Sequence, residues 1–313
     1  MKKIILALMV IVVLLVGCDS GDTAGPTSDA FIGGTDSIEF DFMEETPPAE
    51  VYDGGEQPFE VTIYLENKGE YDVAKEDINI QLSGFYPGDF SNPSTELNPE
   101  ENLDKSYIDP DGEIELGSIT YVNFMGFNFG GSLAGNNEYK IRADVCYNYG
   151  TKAQADLCVL DDLTPTDPED EVCKVNENKP VASSSAPMQV ENFKEERSGE
   201  RKVKFSFDVV HRGSGLVSKL DSSCSTERIL KNTVWVEVDS GLTGLSCSGL
   251  TEGSGTTGYI KFYDPEGRAE RKVICTQDIS SESGNFEKKI NVLLRYDYKE
   301  HKERTVLVKH GTD

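Results

Sequence analysis

The sequence predicts an all-β chain organised as two antiparallel β-sandwich domains in tandem behind an export segment. Three observations carry this. Beyond residue 37, apolar and polar residues alternate in short runs, which is the period of a strand. Turn residues punctuate these runs, and no long segment of helical period follows the N-terminal apolar stretch. Parts of the chain also repeat, at offsets of 144 and 149 residues.

The beginning of the chain lies outside both sandwiches. Met1-Lys2-Lys3 is a short basic start, and Ile4 to Val16 is an unbroken apolar run of 13 residues. That is shorter than the roughly 20 residues of a spanning helix. It reads as a secretory signal, with an uncleaved anchor helix as the alternative. Leu15-Val16-Gly17-Cys18 closes the run. The tetrapeptide resembles the lipobox of prokaryotic lipoproteins, so residues 1–18 are a signal peptide with lipobox. The resemblance implies that Cys18 carries lipid, becomes the mature N-terminus and anchors the chain to the outer face of the cell membrane. A signal of another type would release the protein and leave Cys18 an ordinary cysteine. Residues 19–36, DSGDTAGPTSDAFIGGTD, cannot bury a core and read as a flexible tether.

The formal charge is −26, and loss of Lys2 and Lys3 with the signal leaves 28 basic against 56 acidic residues. Nucleic acid is excluded as a partner, because its phosphates require a basic face. Flat docking on an anionic bilayer is disfavoured for the same reason. The acids are scattered, as on a solvated, self-repelling surface.

Setting Cys18 aside, Cys146, Cys158, Cys173, Cys224, Cys247 and Cys275 remain. Six cysteines in an exported chain favour disulfides. No C-x2-C pair is present to suggest zinc or a thioredoxin-like centre. Residues 139–147 and 153–159 alternate on either side of Asn148-Tyr149-Gly150-Thr151. They read as a hairpin, with Cys146 and Cys158 close enough across it to be bonded. Cys247 and Cys275 each end a strand-like segment, which pairs them and leaves Cys173 for Cys224.

The hairpin has a second copy. Ile141–Tyr149 aligns without a gap on Ile290–Tyr298, and Asp156–Val159 falls on Thr305–Val308. The second copy carries Arg295 and Leu307 where the first carries its cysteines, so the pair is structural rather than redox-active. Upstream, Phe59–Gly69 matches Val203–Gly213, with His211 in the place of Asn67. Domain 1 spans residues 37–162, with strands at Phe59–Glu66, Ile78–Leu82, Glu113–Phe124, Tyr139–Cys146 and Ala153–Leu160. Domain 2 spans residues 188–310, with strands at Val203–Val210, Thr233–Val238, Gly258–Tyr263, Arg271–Cys275, Lys289–Tyr296 and Arg304–Lys309. Residues 163–187, acidic, Pro-bearing and then Ser-rich, form the linker.

The segment Gly55–Gly69, a Gly, an alternating strand and a turn at Asn67-Lys68-Gly69, resembles the opening of CARDB-type, immunoglobulin-like domains. The stretch from Cys146 to Cys158, with Tyr147 and Tyr149, is similar to the end of such modules in archaeal cell-surface proteins. The resemblance extends over residues 55–160 and, more weakly, 188–310. It implies two immunoglobulin-like sandwiches used for adhesion, spacing or assembly, and names no ligand.

No catalytic set is apparent, and no cofactor is expected. The three histidines, His211, His301 and His310, fall at a turn, a hairpin tip and the terminus. Asp109-Pro-Asp-Gly-Glu113 lacks the remaining ligands of a calcium loop and reads as a β-turn, as does Tyr263–Gly267. Asp161, Asp162, Asp167, Glu169, Asp170 and Glu171 offer a calcium site at the domain junction, with a solvated linker as the alternative. Phe124-Met125-Gly-Phe127-Asn-Phe129 is an apolar patch for a partner if exposed, and a core strand if buried. Trp235 is expected in the core. The function expected is that of a non-enzymatic surface lipoprotein binding another protein or cell-surface component. A subunit of a surface layer or filament, built through exposed strand edges, is the second reading. An extracytoplasmic solute-binding or enzyme-associated protein is the third.

Overall fold

The structure, a computed structural model, describes residues 30–163, 172–262 and 270–311. The first half contributes β1 (Ile38–Phe42), β2 (Glu50–Tyr52), β3 (Phe59–Asn67), β4 (Ile78–Ser83), β5 (Glu96–Leu97), β6 (Tyr107–Ile108), β7 (Ile114–Glu115), β8 (Ile119–Phe127) and β9 (Asn137–Val159). The second contributes β10 (Val181–Ser183), β11 (Met188–Arg197), β12 (Lys202–His211), β13 (Leu216–Ser218), β14 (Thr233–Asp239), β15 (Leu245–Ser248), β16 (Thr257–Lys261), β17 (Glu270–Asp278) and β18 (Phe286–Lys309). The all-β class stands.

Each half has its own outer sheet, β1-β3-β8 in the first and β11-β12-β17-β15 in the second. Between them runs one nine-stranded sheet with β18 and β9 at its centre, along the path β16-β14-β18-β9-β4-β5. The two halves therefore share a sheet across the boundaries expected at 162 and 188. The N-terminal part of β9 pairs with β4 of the first half, while its C-terminal part lies beside the start of β18 and against β11 of the second. The end of β18 returns the exchange, with Arg304 donating to the carbonyls of Phe42 and Met43 at the end of β1.

The expected hairpin at residues 148–151 is not formed; β9 is one strand of 23 residues. The side-chain pattern explains this. Ile141, Ala143, Val145, Tyr147, Tyr149, Thr151, Ala153, Ala155 and Leu157 are all buried and all in one phase. A turn would reset that phase, whereas a continuous strand keeps the whole set in the core. Gly150 serves a close approach instead of a turn, since a Cβ there would lie 2.3 Å from the ring of Tyr71. β18 is likewise unbroken, so His301 sits in mid-strand rather than at a tip.

The repeat defines a local two-fold axis. β9 and β18 run antiparallel with Asn148 opposite Asp297, Tyr147 opposite Tyr298 and Tyr149 opposite Tyr296. Asn148 and Asp297, equivalent in the repeat, thus pair with each other at the axis, and on either side each residue faces the counterpart of the one at equal distance beyond it. Two further segments are better fixed than their composition implied. The N–H groups of Ile32 and Gly33, expected in the tether, donate to the carboxylate of Glu70 at 2.9 and 3.0 Å. Ser185, expected in the linker, donates to the same group at 2.6 Å, and β10 pairs with β9.

Candidate functional site

All six cysteines are bonded, with two of the three partnerships differing from expectation. Cys247 joins Cys275 as expected, from directly opposed positions on β15 and β17. Cys146 is bonded to Cys224, and Cys158 to Cys173. Because β9 does not turn back, Cys146 and Cys158 stand about 40 Å apart along one strand and cannot meet. The Cys146–Cys158 and Cys173–Cys224 pairings are therefore corrected. Cys146–Cys224 ties the first half to the loop before β14, and Cys158–Cys173 fixes the segment after β9. Cys18 lies outside the described residues.

The expected patch divides. Phe124, Phe127 and Phe129 are buried. Phe127 and Phe129 join an aromatic cluster around Phe90, with ring centroids 6.0 and 5.3 Å away. Met125 alone points outward, 68% exposed. The exposed face that the sequence reading missed is the opposite side of the same strand, where Ile119, Tyr121 and Met125 alternate with the buried residues. Alternation within Ile119–Phe127 was the signal that would have found it.

The two halves meet at the two-fold axis, in a cluster of four buried tyrosines. Tyr147 hydrogen-bonds Ser37 Oγ at 2.8 Å, and Tyr149 donates to Asn67 Oδ1 at 3.0 Å. Tyr296 accepts the N–H of Met188 at 3.3 Å, and Tyr298 accepts that of Gly215 at 2.6 Å. Burial raises the hydroxyls of all four above the ordinary tyrosine range. They are neutral hydrogen-bonding anchors. His211, the counterpart of Asn67, is half-buried rather than exposed, with Nε2 3.5 Å from Tyr298 Oη. Burial holds its ring below the usual imidazole range.

On the other face of the sheet, Asp297 is completely buried. Its carboxylate accepts the N–H groups of Asp221, Ser222 and Cys224 at 2.9, 2.8 and 3.0 Å, and the hydroxyl of Ser222 at 3.0 Å. Burial nonetheless pushes its carboxyl above the usual range, the donors pulling the other way. Asp221, Ser223 and Cys224 have φ of 60°, 49° and 52°. Asp297 thus organises a loop of left-handed residues that the Cys146–Cys224 bond then pins.

Two open clefts flank the junction. One, of about 600 Å³, is bordered by Asp36, Lys68, Arg212, Glu300 and Lys302. The other, of about 440 Å³, is bordered by Tyr71, Asp72, Asp77, Asn148, Asp221 and Arg295. Their charges are of both signs and partly engaged, with Lys68 on Glu39 and Arg212 on Glu191. Asp109 forms the expected turn, accepting the N–H groups of Asp111 and Glu113 at 2.9 and 2.8 Å. Residues 263–267 lie outside the described residues, as do Asp167, Glu169, Asp170 and Glu171. Asp161 pairs with Arg201 at 3.5 Å. His310 Nδ1 lies 2.8 Å from Asp53. Trp235 is half-buried on the outer face of the sheet, 4.9 Å from the ring of Tyr259, and not in the core as expected. Among the described residues, no group of three His, Cys, Asp or Glu side chains is placed to hold a metal ion, and no helix is long and apolar enough to cross a membrane.

No protein-family model matches the chain, and no curated protein matches it. Among solved structures, one chain from work described as "The Triple Jelly Roll Fold and Turret Assembly in an Archaeal Virus" is 11% identical over 85% of this chain and 90% of that one, with a TM-score of 0.13. A likeness of that size carries no argument about fold or function.

Proposed function

We propose that this chain is a lipid-anchored, non-enzymatic surface protein that works through contacts, presenting a rigid pair of immunoglobulin-like, CARDB-type sandwiches on the outer face of a prokaryotic, archaeal-type membrane by way of Cys18. The observation that carries the reading is the way the halves are built together: they exchange strand ends across one sheet, Cys146–Cys224 ties them, and two further disulfides brace the chain. Three disulfides point to an oxidising, extracytoplasmic setting. A shared sheet resists bending at the junction, as a spacer or adhesion module requires. The acidic surface keeps such a module solvated and off anionic headgroups.

The test is the intact mass of the protein taken from its own membranes, with thiol labelling before reduction. A chain starting at Cys18 with added lipid and no labelled thiol supports the reading. A chain that keeps residues 1–17, or that labels at several cysteines, removes it.

A further inference from the structure

The two outer sheets differ in one respect that the repeat makes measurable. Val61 and Phe205 are equivalent, and they face Phe124 of β8 and Cys275 of β17. β8 and β17 are therefore counterparts, residue for residue. In the second half, β15 covers the far edge of β17 over residues 274–277 and is bonded to it through Cys247–Cys275. The uncovered start of β17 opens with Glu270-Arg271-Lys272, all exposed. Charges of this kind protect a free edge from pairing.

In the first half neither protection is present. β8 ends its sheet, and among the described residues no backbone group of Ile119–Phe127 pairs with anything but β3. The positions of Glu270, Arg271 and Lys272 are filled by Ile119, Thr120 and Tyr121. All nine residues of β8 are uncharged, in a chain of formal charge −26. Of the thirteen large apolar side chains exposed among the described residues, six lie between Tyr107 and Met125, on β8 and on the β6–β7 hairpin that leads into it. An apolar, unprotected edge of this length is a docking surface.

We infer that the occupant of this edge is β8 of a second copy of the chain, paired antiparallel about a two-fold axis. Three observations select it. An uncharged strand offers nothing to recognise a charged segment, whereas β8 set against β8 brings no like charges together along the seam. The chain already pairs equivalent strands antiparallel about a two-fold axis, at β9 and β18. The internal segments outside the described residues supply no matching strand: residues 164–171 read TPTDPEDE and 263–269 read YDPEGRA, each carrying Pro and acids. The pairing is isologous and closes at two copies, so it builds a pair and not a filament. It does not depend on lipid at Cys18 or on the contact-protein reading.

The test is sedimentation of the full chain in detergent, with a benzophenone crosslinker introduced at position 121 in one sample and at position 272 in another. The expected result is a protein mass of two chains, which rises in proportion with added salt as the acidic surfaces are screened. Crosslinking at 121 gives a dimer, and crosslinking at 272 does not. Tyr121→Lys with Met125→Lys halves the mass while the melting temperature and circular dichroism stay unchanged, since both side chains are at least half exposed in the single chain. A single-chain mass at all salt concentrations overturns the inference. So does a dimer that survives the double substitution, or crosslinking at 121 to a different protein.

Discussion

Asn148 of β9 stands directly opposite Asp297 of β18, and the two are each other's counterpart in the sequence repeat. Every pairing in the ladder follows from that one coincidence. Tyrosines 147, 149, 296 and 298 converge because each lies one step from the axis, and each then finds a polar partner in the half it anchors.

The glycines at the end of β3 and β12 test this equivalence. A Cβ on Gly69 would lie 2.1 Å from Tyr149 Oη, and one on Gly213 would lie 2.2 Å from Tyr298 Oη. Gly69→Ala and Gly213→Ala should each destabilise the fold by roughly 2–4 kcal/mol through overpacking. Tyr149→Phe should relieve part of the first cost and leave the second untouched. Denaturant melts of the parent, the three single variants and the two combinations with Tyr149→Phe check both statements.

The disulfides should differ in worth according to the loop each closes. Cys146–Cys224 spans 78 residues and Cys158–Cys173 spans 15. Chain entropy alone gives about 4.5 and about 3 kcal/mol. Removing the first by paired Cys→Ser substitution should therefore lower stability more than removing the second. Peptide mapping without reduction should recover 146 linked to 224, and 158 linked to 173.

Glu195 sets a pH dependence. Its side chain is fully buried, both oxygens face the N–H of Cys158, and Lys179 lies 3.9 Å away. Burial pushes its carboxyl up to about 7, against the pull of those two groups. The folded state then holds a proton that the unfolded state has released. This group's contribution is full below pH 4.5, falls as pH rises, and is exhausted above about 7. The loss should amount to roughly 3 kcal/mol. Glu195→Gln should flatten the dependence of unfolding free energy on pH across that window. An unchanged slope would contradict the assignment.

Asp297→Ala should cost more than an ordinary surface substitution, on the order of 3 kcal/mol or above, because three backbone N–H groups lose their acceptor inside the protein. The exchange of the amides of Asp221, Ser222 and Cys224 should accelerate together, while those of β11 and β12 keep their protection.

The strands were legible where alternation was clean. The expected Phe59–Glu66, Ile78–Leu82, Val203–Val210 and Thr233–Val238 lie within or close to β3, β4, β12 and β14. The repeat was legible as well. The junction was misread because Asn148 and Gly150 have turn chemistry, and local composition gave no sign that Tyr71 needs the space at Gly150. Reading two strands where there is one then displaced both disulfide partners and placed His301 at a tip. Of the two readings open for 124–129, the aromatics take the core and Met125 the exposed face, since burial in a strand is decided residue by residue and not by the run.

The shared sheet is tested most directly by separating the halves. Residues 30–162 and 172–311 should be purified as individual chains and examined by circular dichroism and denaturant titration. Each lacks the strand end that the other supplies, so neither should show a cooperative transition alone, and the full chain should melt in one step. Two fragments that each unfold cooperatively, with sheet content adding up to that of the whole, would show that the halves are independent sandwiches and that the exchange of β9 and β18 does not hold them.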